Sequence, residues 1–136
     1  MAGALVDTGV LLALVHRRDR WHDVAEREIA TAGRMLTTWA VVTETVHMIG
    51  RPDAAATFLD YIGRGAIDLP AFGASEAESL AWYFRKYADL EPELADLSLL
   101  VLADMSGITK ILTFDRDFLI YRTRKRRALS CPLVDA

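Results

Sequence analysis

Ala4-Leu5-Val6-Asp7-Thr8-Gly9-Val10-Leu11-Leu12-Ala13-Leu14-Val15-His16 is an apolar run broken once, at Asp7-Thr8. Ala2 to Val6 reads as a short buried strand, and Asp7-Thr8 caps a helix from about Gly9 to His16. A strand that feeds directly into a helix marks an α/β fold, and the rest of the chain keeps that alternation. Trp21 to Ala30 has helical spacing and stops at Gly33, Arg34 to Thr37 is a second strand, and Thr38 or Trp39 opens a helix to Ile49 that Gly50 and Pro52 end. A further helix covers about Asp53 to Ile62, and Ala66 to Leu69 is a third strand closed by Pro70. Ser75 and Glu78 form a capping box for a helix to about Ala88. The loop from Leu90 to Asp96 opens a helix reaching Gly107, Lys110 to Phe114 is a fourth strand, Asp115 to Ile120 is a helical turn, and Leu129 to Val134 is an edge strand. The expected architecture is α/β: one domain over residues 1–136, a three-layer sandwich whose central parallel sheet has four to five short strands and right-handed crossovers. In such sheets ligands bind beyond the carboxyl ends of the strands.

At 136 residues the chain buries enough surface to fold without a disulfide or a structural metal, and 52% hydrophobic with 26% charged residues describes a soluble globule. The start, Met1-Ala2-Gly3, has no basic leader, and no apolar run approaches the ~20 residues of a membrane span. The lone Cys131 has no partner and no metal-ligand spacing around it, which fits a reducing cytoplasm. The net charge of −3 is unevenly spread: Arg122, Arg124, Lys125, Arg126 and Arg127 put five of the 16 basic residues into one strip on an otherwise acidic body. A looser basic group, His16, Arg17, Arg18 and Arg20, follows the first helix.

Asp7 and Asp115 stand at the carboxyl ends of two strands. Asp96 falls in the first turn of its helix, where the dipole favours a carboxylate, and Glu44 lies at the margin of a buried helix face. Singly, each has an ordinary explanation as a cap, a turn residue or a surface acid paired with His47. Together they place four carboxylates on one sheet edge, where they repel and raise one another's pKa unless a divalent cation sits among them. All-oxygen donors without clustered Cys or His point to Mg²⁺ or Mn²⁺ rather than zinc, and their common edge suggests Asp7, Asp96 and Asp115 as holding the ion, with Glu44 a ligand or an orienter of the water. The basic strip would draw a polyanion past these acids, so Arg122, Arg124, Lys125, Arg126 and Arg127 are candidate phosphate contacts for such a substrate, with plain solvation and a protein partner as the other readings. Ser/His/Asp chemistry finds no pairing around His16 or His22. Trp21, Trp39 and Trp82 are expected in the core or an interface. A receiver-like phosphoacceptor domain needs a Lys ending a late strand, but Lys110 begins one.

Leu5-Val6-Asp7-Thr8-Gly9-Val10-Leu11-Leu12, Thr43-Glu44-Thr45, Leu94-Ala95-Asp96-Leu97-Ser98-Leu99-Leu100-Val101-Leu102-Ala103 and, most specifically, Ile111-Leu112-Thr113-Phe114-Asp115-Arg116-Asp117-Phe118 resemble, in order, the PIN domain, and in particular the VapC-like toxins of toxin–antitoxin pairs. The resemblance implies a Mg²⁺-dependent endoribonuclease with Asp7, Glu44, Asp96 and Asp115 as its acidic quartet. It implies Thr8 and Thr113 as hydroxyls behind the acids, with Asp117 either at the metal or capping the following turn. It also implies an antitoxin peptide lying across the early helices and a homodimer. An RNA-maturation nuclease of the same fold without an antitoxin is the alternative, ahead of a degenerate domain that only binds partners.

Overall fold

The computed structural model describes residues 3–135. Strand β1 (Ala4–Val6) is buried at every position, so both faces of the sheet are covered. It pairs in parallel with β2 (Met35–Leu36) on one side and β3 (Ile111–Leu112) on the other, giving the order β2-β1-β3. Between them run α1 (Thr8–Val15), α2 (His22–Thr31), α3 (Trp39–Ile49), α4 (Pro52–Gly63), α5 (Ala74–Lys86) and α6 (Leu94–Ser106). From β1 the chain steps outward to β2 and on to the parallel bridge at Asp68, then returns to the opposite side of β1 as β3; right-handed crossovers in the two directions put α1 to α4 on one face, where α3 packs on α1, and α5 and α6 on the other. The α/β parallel architecture is therefore as expected, and among the described residues no helix is long and apolar enough to cross a membrane.

The strands are shorter and fewer than the apolar runs suggest. Three are true strands, and Ala2, where the first was expected to begin, lies outside the described residues. The expected strands at Ala66–Leu69 and Leu129–Val134 each contribute one parallel bridge, Leu36 with Asp68 and Lys110 with Ser130. The cause is proline. Asp68 exchanges bonds with Met35 and Thr37, and Ser130 with Thr109 and Ile111. The next amide in register, two residues on, belongs to Pro70 in one case and Pro132 in the other, and neither has an N–H to give.

Two glycines are required by their backbone. Gly3 has φ +144°, and a Cβ there would stand 2.9 Å from the Arg34 carbonyl oxygen, which β1 must approach to pair with β2. Gly107, at φ +75°, ends α6 in the left-handed conformation and turns the chain toward β3. The expected capping box at Ser75 and Glu78 is displaced: α5 starts earlier, and the Gly73 N–H donates to Glu76 Oε1 at 2.8 Å.

Candidate active site

β1 ends on Asp7, whose carboxylate is nearly buried, at 8% exposure. Its Oδ1 accepts the Thr8 N–H at 2.8 Å and its Oδ2 the Thr113 hydroxyl at 2.7 Å. Thr113, just past β3, also accepts the Asp115 N–H at 3.0 Å, so one buried hydroxyl ties together the two acids at the ends of neighbouring strands. Asp115 in turn caps the short 3-10 turn Arg116–Leu119 by accepting the Asp117 N–H at 2.9 Å. The cap is therefore Asp115, and Asp117 stays in the turn behind it. β1 and β3 flank the point where the chain reverses its direction across the sheet, the place where such sheets bind ligands.

The other two acids come from helices whose starts are joined to each other. The Val41 N–H donates to Thr38 Oγ1, the Thr38 and Ser98 hydroxyls bond at 2.7 Å, and Ser98 donates to the Ala95 carbonyl at 2.6 Å. This buried relay locks the first turn of α3 to the first turn of α6, and so fixes Glu44 relative to Asp96. The Asp96 carboxylate accepts the Glu93 N–H at 3.3 Å, satisfying one of the free amides at the helix start.

Asp7, Glu44, Asp96 and Asp115 all line one cleft of about 420 Å³, and Asp7 and Asp96 open onto the same side of the molecule. Glu93, from the loop before α6, lines it too, as do Thr8 and Phe114, and none of the lining residues is Lys or Arg. Electrostatics record the crowding. Burial lifts the Asp7 pKa despite its two hydrogen bonds, and Asp115 pushes it further. Burial raises Glu44 most, the Thr8 hydroxyl opposes it, and Glu93 and Asp7 push it further up. Asp96 is raised to about 7, mainly by burial, with repulsion from Asp7, Asp115 and Glu44 added and the Glu93 N–H opposing.

Such a cleft favours a cation, and its donors are hard oxygens suited to Mg²⁺ or Mn²⁺. The buried Thr8 hydroxyl makes no hydrogen bond, although it stands near enough to Glu44 to favour its ionised form. It is a polar group waiting for water or an ion's hydration shell. Among the described residues no three carboxylate, imidazole or thiol groups stand close enough to ligate one ion together. The arrangement therefore fits an ion that keeps several waters and takes one or two carboxylates directly, as Mg²⁺ does.

Comparison with known proteins places this geometry. The PIN domain family profile matches residues 4–124. The chain belongs to the PIN domain family. Ribonuclease VapC26 of Mycobacterium tuberculosis (strain ATCC 25618 / H37Rv) is 32% identical over 116 residues, spanning 82% of this chain and 86% of that protein. The crystal structure of M. tuberculosis VapC20, described as a Sarcin-Ricin loop cleaving toxin, superposes with a TM-score of 0.76 at 21% identity, covering 85% of this PIN domain and 92% of that chain.

Other expectations are redirected by the structure. The basic strip does not line the cleft. It folds into a hairpin closed by the Arg122–Ala128 bridge, with Arg126 left-handed at its tip (φ +68°), and it backs onto α5 and the far end of α6. There the Arg124 guanidinium binds Glu78 at 3.1 Å and stacks on Trp82, the Arg124 N–H donates to the Tyr83 hydroxyl, and Arg127 donates to the Gly107 carbonyl. Asp104, near the end of α6, is the acceptor of that Tyr83 hydroxyl and is half-buried. His47 is exposed and makes no ion pair with Glu44 among the described residues. Trp39 is 59% exposed, which removes the core half of its core-or-interface expectation.

Proposed function

We propose that this PIN domain is a Mg²⁺- or Mn²⁺-dependent endoribonuclease of the VapC type, the toxin of a toxin–antitoxin pair. The observation that carries the reading is the convergence of Asp7, Glu44, Asp96 and Asp115 on one cleft at the carboxyl edge of the sheet. It is supported by the likeness to Ribonuclease VapC26. Asp7, Asp96 and Asp115 would hold the ion, one or two of them directly and the rest through its waters, and when bound it supplies Lewis acidity that neutralises phosphate charge and makes water a stronger acid. Thr113 and the Thr8 N–H hold Asp7 in one rotamer. Glu44, beside the unpartnered Thr8 hydroxyl, would orient the attacking water and take its proton. No side chain need become a nucleophile. Purified protein should cut single-stranded RNA internally, stop when EDTA is added and resume with excess Mg²⁺ or Mn²⁺. Undiminished cutting in EDTA would sink the reading.

The partners follow from two other surfaces. A hollow of about 460 Å³ between α1, α2 and α4 contains none of the quartet and has an apolar floor of Leu14, Val15 and Phe58, with Tyr61, Arg17 and Arg64 around it. It suits an apolar, acid-flanked peptide, and we assign it to the antitoxin. Trp39 and Leu94, 59% and 51% exposed, border one apolar groove with Phe72 and are assigned to a homodimer contact. Co-expressed with the product of the adjacent gene, the protein should purify as two copies of each chain by light scattering. Tyr61→Asp should lose the antitoxin and Leu94→Glu should halve the mass; two unchanged complexes would remove both assignments. A reducing cytoplasm suits the free Cys131.

A further inference from the structure

The acid cleft has no basic residue in its lining, and the basic strip backs onto α5 and the far end of α6, so the positive charge that holds a polyanion there would come from another element. The turn between α1 and α2 supplies it. Phe114, on the cleft wall, packs against Trp21 with ring centroids 5.3 Å apart and planes tilted by 34°. The Arg20 guanidinium lies over the same Trp21 ring, 4.8 Å from its centroid, and so stands within two stacking distances of the wall. Arg20 is exposed and has no carboxylate partner among the described residues, whereas Arg34, Arg51, Arg116 and Arg124 each have one.

The turn that carries it is fixed. The Trp21 N–H donates to Asp19 Oδ1 at 2.7 Å, the His22 N–H to the Asp19 carbonyl at 3.0 Å, and the His22 ring bonds the Ala13 carbonyl at 2.9 Å. A stacked guanidinium has already surrendered much of its rotamer freedom, keeps its edge N–H groups free, and presents a planar fork that matches phosphate oxygens.

We propose that Arg20, held over the Trp21 ring that packs on Phe114, binds a backbone phosphate of the RNA next to the one at the acids, and so positions the strand across the cleft. This rests on the ribonuclease reading of the cleft. The contact is made equally in the ground and transition states, so its loss should appear in KM rather than kcat.

The test compares Arg20→Ala with Arg18→Ala, its exposed neighbour in the same turn without an aromatic platform. Binding of a fluorescein-labelled single-stranded oligoribonucleotide is followed by anisotropy across a salt series at fixed Mg²⁺, in an Asp7→Asn background, and KM and kcat are measured in otherwise unaltered protein. Arg20→Ala should flatten the log K against log salt slope by about 0.7, the value for one phosphate of a single strand. It should raise KM roughly five- to tenfold, the scale of one partly exposed charge-assisted contact, with kcat within about twofold and the melting temperature unchanged. Arg18→Ala should leave the slope in place. An unchanged slope for Arg20→Ala, or an equal loss from both variants, would overturn the assignment. Cleavage that survives Asp7→Asn would instead sink the acid cleft, so the two proposals fail on different readouts.

Discussion

Asp7→Asn should leave a folded protein that cuts RNA at least on the order of a hundredfold more slowly, with Mn²⁺ binding by calorimetry weakened in parallel. The substitution is close to isosteric. The new carboxamide keeps an oxygen for the Thr8 N–H, and its NH₂ meets the Thr113 hydroxyl where a carboxylate oxygen was. Thr113 then receives that donor as well as the Asp115 N–H, and its own proton has no acceptor, a cost of about 1 kcal/mol. Removing a nearly buried charge whose pKa burial has already raised works in the other direction. Stability should therefore change little while the cleft loses its most enclosed anionic donor. Circular dichroism and melting would separate this outcome from misfolding, and cleavage within a few fold of wild type would dismiss Asp7 as a metal ligand.

What local pattern could reveal was the sheet edge. Apolar runs ending in Asp7 and Asp115, and an acid three residues into an apolar helix at Asp96, are short-range signals, because caps and strand ends are decided by a few neighbouring residues. The brevity of the outer strands was also readable in principle: Pro70 and Pro132 stand where the ladder would need a donor, but only once the register is known. The position of the basic strip was not. It follows Asp115 closely in sequence, and what carries it away is tertiary, namely the Tyr87 hydroxyl on Arg122 and the Tyr83 hydroxyl on the Arg124 amide. The Thr38–Ser98 relay spans 60 residues and has no sequence signature, although it aligns Glu44 with Asp96. Glu93 was undervalued for a similar reason, since its place on the cleft wall depends on where α3 packs.

Asp96→Asn should make the metal-free protein melt higher at pH 8, on the order of 5 °C, and should flatten the pH dependence of stability between about pH 4 and 7. The folded protein holds the Asp96 pKa at about 7, against an unfolded value near 3.9. A carboxyl raised in this way binds more protons folded than unfolded in that window. Its contribution to stability is complete below the unfolded pKa and is lost as pH rises through the folded one. A fully buried group with this shift would contribute about 4 kcal/mol, but Asp96 is only partly buried and screening reduces that to about 1–2 kcal/mol. The introduced carboxamide mimics the neutral form at every pH and also relieves Asp7 and Glu44, whose own raised pKa values leave some slope in the variant. Excess Mg²⁺ should reverse the order, because the ion stabilises only a protein that can bind it, and the wild type would regain by linkage what repulsion removes. Thermal unfolding from pH 5 to 8 in EDTA, repeated in Mg²⁺, reads all three outcomes. A variant that melts below wild type at pH 8 in EDTA would mean that Asp96 is a helix-capping carboxylate held by the Glu93 N–H, with no repelling cluster to relieve.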